Sequence, residues 1–251
     1  MHPPEPFAAL GEHFTVELPG ARAAFTTRRG GHSRGPYASL NLGRLTDDDP
    51  AAVELNRKRL EAEIGARLSF VRQVHGSRVC ETTSVSAQRD RAGVLEQLEP
   101  ADGQVTRSRG IALAALTADC LPIAVAGRGA VAMLHAGWRG LQAGVIGVAI
   151  ASLREAGAGG PLAAAIGPGA GPCCYEVGPE VHAALGDLPA SVRHGRKLDL
   201  KAIARRRLLA AGVAEVHDIG ICTICSDPSL LFSHRRDHGV TGRQAGLAWL
   251  S

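Results

Sequence analysis

A chain of 251 residues with 45% hydrophobic content can bury a sizeable core in one large domain or two small ones. Its formal charge of +4, from 28 basic and 24 acidic residues, comes with only 4% aromatics and no basic run interleaved with them, which argues against a nucleic-acid partner. No stretch reaches the ~18 apolar residues of a membrane span, and the first residues carry neither the charged nor the apolar region of a signal peptide, so a cytoplasmic protein without membrane contact is expected, its six cysteines reduced.

In chain order, Phe14–Leu18 and Arg22–Thr27 read as short strands split by Pro19-Gly20. Residues 28–49 are rich in Gly, Ser, Asn and Asp and read as a long loop, a place where function often sits. Asp49 caps a helix with Pro50 at its first position; Val53, Leu60 and Ile64 share a face and Gly65 ends it. Leu68–Val74 and Arg78–Thr83 are strand candidates, and 84–104 is polar and irregular. From Ile111 two apolar runs flank a turn signal, Gly127-Arg128-Gly129, with Cys120 in the first arm and His135 ending the second. A helix over Leu141–Ala156 is expected, with Val145, Val148, Ala149 and Ser152 near one face.

Pro161–Gly178 opens as an apolar strand and becomes a Gly/Pro-rich loop, and a helix over Pro179–Leu185 follows. Asp199 caps another helix whose apolar side is Leu200, Ile203, Ala204, Leu208 and Ala211; Arg207 falls inside that arc and should snorkel or meet an acid. Glu215–Thr223 and Gln244–Leu250 close the chain as strands. No repeat, linker or low-complexity tract interrupts it, and strands and helices alternate irregularly, which favours one mixed α/β layered domain.

Three residues at or near strand ends carry the chemistry: His75 in FVRQVHGSRV, Cys120 in LTADCLPI and His135 in AMLHAGWRG. Two imidazoles and a thiolate suit Zn²⁺ and leave a fourth position for water or substrate. From spacing alone, the plainer reading is that each is a lone, satisfied residue. Cys120 is alternatively a nucleophile paired with either histidine, with Asp119 as orienting group or plain turn residue. Arg139, just before the expected helix, is an anion candidate beside a helix N-terminus. Ser233–Asp237 with Thr241–Arg243 is arginine-dense and suits a bidentate anion clamp or surface salt bridges. IGPGAGPCCYEVG at 166–178 is only loosely like a phosphate-cradling loop, and a tight irregular loop is the plainer interpretation. Cys173, Cys174, Cys222 and Cys225 are expected to be packing residues, since one CxxC without a second gives no support for a four-cysteine zinc site.

Together, SLNLG at Ser39–Gly43, DDPAAVELNRKRL at Asp48–Leu60, RQVHG at Arg72–Gly76, ADG at Ala101–Gly103, TADCLPI at Thr117–Ile123 and HAGWRG at His135–Gly140 run in the order of one family. IGPGAGPCCYEVG, DLKAIARRRLLAAGV, FSHRRD and TGRQAGLAWL continue the match over nearly the whole chain. The chain resembles the YfiH-like family, also called laccase-domain, polyphenol-oxidase-like or peptidoglycan editing factor proteins. The resemblance implies a single domain over residues 1–251 with a four-layer αββα sandwich of mixed sheets. It implies a metal held by His75, Cys120 and His135, with zinc expected and copper an alternative. It implies a purine nucleoside phosphorylase acting on adenosine, inosine and methylthioadenosine with phosphate, with adenosine deaminase side activity. Catalytic roles are then expected of Cys120, His75, His135 and Asp119, and substrate or phosphate contacts of Asn41, Gln73, Arg139, Arg235, Arg236 and Arg243. Alternatives are a cysteine or zinc amide hydrolase editing UDP-muramyl-amino acid precursors, a copper polyphenol oxidase, and a non-enzymatic metal-binding module. Two departures bear on substrate preference: His234 stands where the family often has a tyrosine, and Arg44-Leu45-Thr46 follows NLG in place of a segment that often holds a histidine and a glycine.

Overall fold

The computed structural model describes residues 3–85, 98–186 and 188–251. The strands are β1 (Ala8–Leu10), β2 (His13–Leu18), β3 (Ala21–Phe25), β4 (Arg67–Ser69), β5 (Val79–Glu81), β6 (Gly103–Thr106), β7 (Ile111–Thr117), β8 (Leu121–Arg128), β9 (Ala130–Ala136), β10 (Gly159–Ile166), β11 (Arg193–His194), β12 (Lys197–Leu198), β13 (Val213–Asp218) and β14 (Gln244–Leu250). The helices are α1 (Pro50–Ile64), α2 (Trp138–Gln142), α3 (Val145–Glu155), α4 (Pro179–Ala184) and α5 (Leu200–Ala210). One six-stranded sheet runs β1-β2-β3-β14-β7-β4 and a second runs β13-β10-β8-β9-β6-β5. Both are mixed: β4–β7, β5–β6 and β10–β13 pair parallel, and the other neighbours antiparallel.

Side-chain alternation along the strands sorts the apolar residues into three layers of packing. On β7, Leu113 and Ala115 face the space between the sheets, while Ala112 and Ala114 face α1. On β9, Val131 and Met133 enter the space between the sheets, while Ala132 and Leu134 face the layer built with α3 and α5. The result is the expected α-β-β-α sandwich. Because both faces of the central strands are covered, they read as continuous apolar runs rather than as alternating ones.

The ends of α1 follow the sequence. The Asp49 carboxylate accepts from the Ala51 N–H, Pro50 fills the first turn, and Gly65 closes the helix at φ +68°. Likewise Asp199 accepts from the Ala202 N–H to start α5.

Elsewhere the structure corrects the expected elements. The first arm of the expected hairpin does not run through Cys120; Asp119, at φ +99°, turns the chain, so β7 ends in one sheet and β8 begins in the other. The expected helix from Leu141 starts earlier and is broken in two, because Gly144 takes φ +86° between α2 and α3. The buried face of α3 is Val145, Ile146, Ala149, Ile150 and Leu153, and Val148 is exposed. Among the described residues Arg207 meets no acid; its guanidinium donates to the Leu141 carbonyl near the end of α2. The strands expected over 68–74 and 78–83 are shorter, because residues between β4 and β5 are drawn into a loop around Asp102. Part of the irregular segment expected over 84–104 is β6, entirely buried, and residues 86–97 of it lie outside the described residues. Among the described residues, no helix is long and apolar enough to cross a membrane.

Leu113 is fully buried between the two sheets. Leu113→Ala should therefore cost about 3 kcal/mol of stability, read as a lower urea midpoint with an unchanged slope.

Candidate active site

The seam between the sheets brings the reactive residues together. Antiparallel β8 and β9 pair Leu121 with Ala136 and Pro122 with His135, which sets Cys120, just before β8, beside Gly137, just after β9. His75 arrives from the loop between β4 and β5, at φ +60°. One donor atom each from His75, Cys120 and His135 lies within 4.8 Å of the others. The two imidazoles meet edge to face, with ring centroids 4.7 Å apart. Glycine is needed at 137, since a Cβ there would fall 2.8 Å from Cys120 Sγ and 3.3 Å from His75 Cδ2.

One buried carboxylate organises this trio. Asp102 Oδ1 pairs with His135 Nδ1 at 2.8 Å and accepts from the His75 N–H at 2.9 Å. Its Oδ2 accepts from the N–H groups of Gly76 at 2.6 Å and Val74 at 3.2 Å. The His135 N–H also donates to the Asp102 carbonyl at 2.8 Å. Burial would push the Asp102 carboxyl up, but His135 and these N–H donors hold it below the ordinary aspartate value. With Nδ1 engaged, His135 keeps Nε2 for a ligand, the arrangement that orients metal-binding histidines. Asp102 lies in ADG, but no role was assigned to it from sequence; a carboxylate set among small residues at the start of a buried strand is the signal that marks it.

The thiol and its neighbour share charge. Burial raises the Cys120 thiol, but His135 and His75 outweigh it and bring it down to about 6. Burial lowers His135, but the Cys120 thiolate and Asp102 raise it to about 9. Without metal, the pair at neutral pH is thus thiolate and imidazolium. The donor set, a ready thiolate and two imidazoles with one ring anchored, fits a borderline-soft divalent cation.

The trio lines a cavity of about 570 Å³. Of the residues expected to touch substrate, Gln73, Arg139, Arg235 and Arg243 line it, as does Asp119. Arg139 is exposed at the rim, inside α2 rather than before a long helix, with its guanidinium 4.3 Å from the Trp138 ring. Five residues of helix give little dipole, so any anion binding there falls to the side chain. Arg235 stacks 4.9 Å over Tyr175. Gln73 is fixed to the backbone of Leu116, its Nε2 donating to the carbonyl and its Oε1 accepting from the N–H, at 2.8 Å each.

Two expected contacts are corrected. Asn41 is wholly buried and does not line the cavity; it donates to Thr46 Oγ1 and Asp48 Oδ2 and accepts from the N–H groups of Gly43 and Arg243. Its task is to fold the loop that carries Arg44 and to hold Arg243. Arg236 is also absent from the lining and is spent on Asp237 and on the carbonyls of Thr223 and Leu231. Asp119 is committed as well. Its Oδ1 accepts from Thr223 Oγ1 at 2.6 Å and Ser233 Oγ at 2.7 Å, and its Oδ2 from the Arg235 N–H at 2.7 Å. It ties the Cys120 turn to the arginine-bearing tail. The 166–178 loop packs against that turn, with the Ala170 N–H donating to the Asp119 carbonyl.

Other lining residues escaped the sequence reading. Arg57 donates twice to the Leu42 carbonyl and stacks 3.8 Å over Phe70, and burial lowers its pKa to about 9. Glu54 pairs with Arg44 on the same wall. Tyr175 and Trp138 were findable, since the chain has two residues of each type and these two lie beside its glycine-rich motifs. The four remaining cysteines of interest are not scattered packing residues: Cys173, Cys174, Cys222 and Cys225 converge, away from the cavity lining.

A two-sheet sandwich with a His-Cys-His centre at its seam and arginines around the cavity has the makings of a metal-dependent enzyme. Residues 22–251 match the family described as multi-copper polyphenol oxidoreductase laccase, and the chain belongs to that family. It is 42% identical to a protein of Pseudomonas aeruginosa named purine nucleoside phosphorylase, over 91% of this chain and 93% of that one. A protein of Xylella fastidiosa with the same name is 41% identical, over 92% and 93%. The crystal structure of the hypothetical protein YfiH of Bacillus licheniformis superposes with a TM-score of 0.88 at 30% identity, over 99% of this chain and all of the other.

In metal-free protein, carbamidomethylation of Cys120 should reach half its maximal rate near pH 6, because the thiolate is already formed above that value. Asp102→Asn weakens the imidazolium that stabilises the thiolate, so the half-point should move up toward the ordinary thiol value of about 8.5. Peptide mass spectrometry across a pH series checks both. Gly137→Ala should keep the fold yet weaken metal binding at the trio by at least about tenfold, by analogy with disturbance of ligand-orienting groups, measured by competition with a chromogenic chelator.

Proposed function

We propose that the chain is a purine nucleoside phosphorylase whose centre holds zinc through His75, Cys120 and His135. The observation that carries the proposal is the convergence of these three donors on a cavity also lined by Arg139, Arg235 and Arg243. Relatives about 40% identical over nine-tenths of the chain and named purine nucleoside phosphorylase support the substrate class. When bound, zinc supplies Lewis acidity toward a substrate oxygen.

In phosphorolysis a phosphate oxygen forms a bond to the ribose anomeric carbon, the glycosidic C–N bond breaks, and the purine leaves with that electron pair and takes up a proton. The nucleophile is an anion that must be stripped of water and aimed. Arg139, Arg235 and Arg243 suit that task, as planar guanidinium groups bind phosphate oxygens in pairs. Tyr175 and Phe70 offer apolar ring surface for a purine. Glu54 and Glu61 are lining carboxylates suited to ribose hydroxyls. Asp119, with three donors already on its oxygens, acts by positioning Cys120 and Arg235 rather than by moving a proton. Adenosine, inosine and methylthioadenosine are the proposed nucleosides, and deamination of adenosine is a proposed side activity. A multicopper oxidase would need several histidine-rich copper centres, whereas the metal-capable groups among the described residues contain only His75 and His135.

One observation favours a second activity to be tested beside the first. Cys120, His135 and Asp102 form a nucleophile-base-orienter series, as cysteine hydrolases require. The corresponding substrate is an amide such as a UDP-muramyl-amino acid, with release of L-serine or glycine.

Purified protein given inosine should release hypoxanthine only when phosphate is added. No phosphate-dependent release, with amino acid freed from the muramyl precursor instead, would move the assignment to the hydrolase. Cys120→Ala should lose the zinc of the His75-Cys120-His135 centre and, with it, at least about 99% of turnover, since only two protein ligands remain there. Arg139→Ala should keep its zinc and raise the phosphate KM about tenfold, the loss of one charge-assisted contact, read by metal analysis beside a phosphate titration.

A further inference from the structure

Phosphorolysis makes no use of the second gathering of metal-capable side chains. Cys173 and Cys174 sit in the loop between β10 and α4, and Cys222 and Cys225 in the turn after β13. Some 50 residues apart in sequence, they bring four Sγ atoms within 4.8 Å of one another. The two segments meet by backbone pairing, with the Gly169 N–H donating to the Ile221 carbonyl and the Thr223 N–H to the Gly169 carbonyl. The Gly171 N–H is 3.2 Å from Cys222 Sγ, and the N–H groups of Ile224 and Cys225 are directed at the same sulfur. A neutral thiol is a weak acceptor, whereas a thiolate accepts such N–H bonds well. A CxxC turn that wraps its own second and third following amides around the first sulfur is arranged for a thiolate.

Two outcomes compete for four close sulfurs. A disulfide needs an S–S distance of about 2.05 Å, and Cys173 Sγ lies 3.5 Å from Cys225 Sγ. Tetrahedral zinc with Zn–S bonds of about 2.3 Å sets its sulfurs about 3.8 Å apart. The 3.5 Å between Cys173 and Cys225, with all four sulfurs within 4.8 Å of one another, is nearer that edge than a disulfide bond length, so an ion needs the smaller adjustment. Four soft donors with no oxygen among them select zinc or iron geometry. The Lys197 ammonium donates to the Cys173 carbonyl at 2.6 Å and places positive charge beside a centre that would carry net negative charge.

We propose that Cys173, Cys174, Cys222 and Cys225 bind one zinc ion as a closed, four-thiolate structural site, separate from the His75-Cys120-His135 centre. The ion clamps the loop 167–178 to the turn 220–226. Thr223 lies between two of its ligands and holds Asp119, the neighbour of Cys120, by a 2.6 Å hydrogen bond. Tyr175, next to Cys174, carries Arg235 on its ring. The clamp thereby sets two walls of the cavity without touching substrate.

The test uses full-length protein purified with reductant, and its readouts are independent of activity. Native mass spectrometry of Cys120→Ala should show one retained zinc. After stripping with a chelator, cobalt(II) added to Cys120→Ala should give the intense visible bands and sulfur-to-metal charge transfer of a tetrahedral four-thiolate ion. Cys225→Ser should weaken those bands and shift them to the blue. If Cys225→Ser does not fold, the mass and the cobalt spectrum of Cys120→Ala decide alone. Retention of no metal together with no thiolate-cobalt absorption in Cys120→Ala would overturn the site. So would a two-hydrogen mass deficit mapped to a Cys173–Cys225 disulfide, and iron in place of zinc would overturn the assignment of the ion.

Discussion

The Asp102 carboxylate is the contact on which the centre depends. It is buried at the start of β6 and accepts from three N–H groups of the His75 loop and from the His135 ring. A buried charge of this kind is tolerable only because every lone pair it offers is used. The consequence is geometric. One side chain fixes both the path of the loop that delivers His75 and the ring orientation of His135, so two of the three donors are set by one group. Cys120 is set independently, by the register of β8 against β9 and by the turn that Asp119 anchors.

The layered fold explains why that site lies where it does. β7 belongs to one sheet and β8 to the other, so residues 118–120 must cross the seam. A crossing strand end frees its side chains from the two apolar layers. The space between the sheets is filled largely by alanine, leucine, valine and phenylalanine, which lets the sheets approach closely and leaves the cavity at their edge. The tail from Ser233 to Arg243 and the loop 167–178 then close around it through Asp119, Tyr175 and Arg235.

Much of this was legible in the sequence because it rests on local chemistry. The Asp49-Pro50 start and Gly65 stop of α1 and the Asp199 start of α5 are short-range signals, and the structure has them where the residues place them. The His75, Cys120 and His135 trio was readable as residue types at strand ends, and the family motifs drew them into one site. Apart from the break at Gly144 between α2 and α3, the failures are long-range. Nothing near Cys120 in sequence says that an apolar run changes sheets there. Asn41 and Arg236 carry groups that suit a ligand, yet both spend them on the protein's own backbone and side chains, which only tertiary contacts reveal. Asp102 is 33 residues from the ring it orients, and Cys174 is 48 residues from Cys222 by numbering, so neither partnership has a spacing to betray it.

The central claim is that His75, Cys120 and His135 hold one metal ion and leave it a position open to the cavity. An anomalous difference map collected at the zinc edge from crystals of the protein as purified tests it most directly. A peak bonded to Cys120 Sγ, to His135 through Nε2 and to His75, with no fourth protein ligand, is the expected result. An empty position between these three side chains, or a peak closed off by a fourth protein donor, would contradict it.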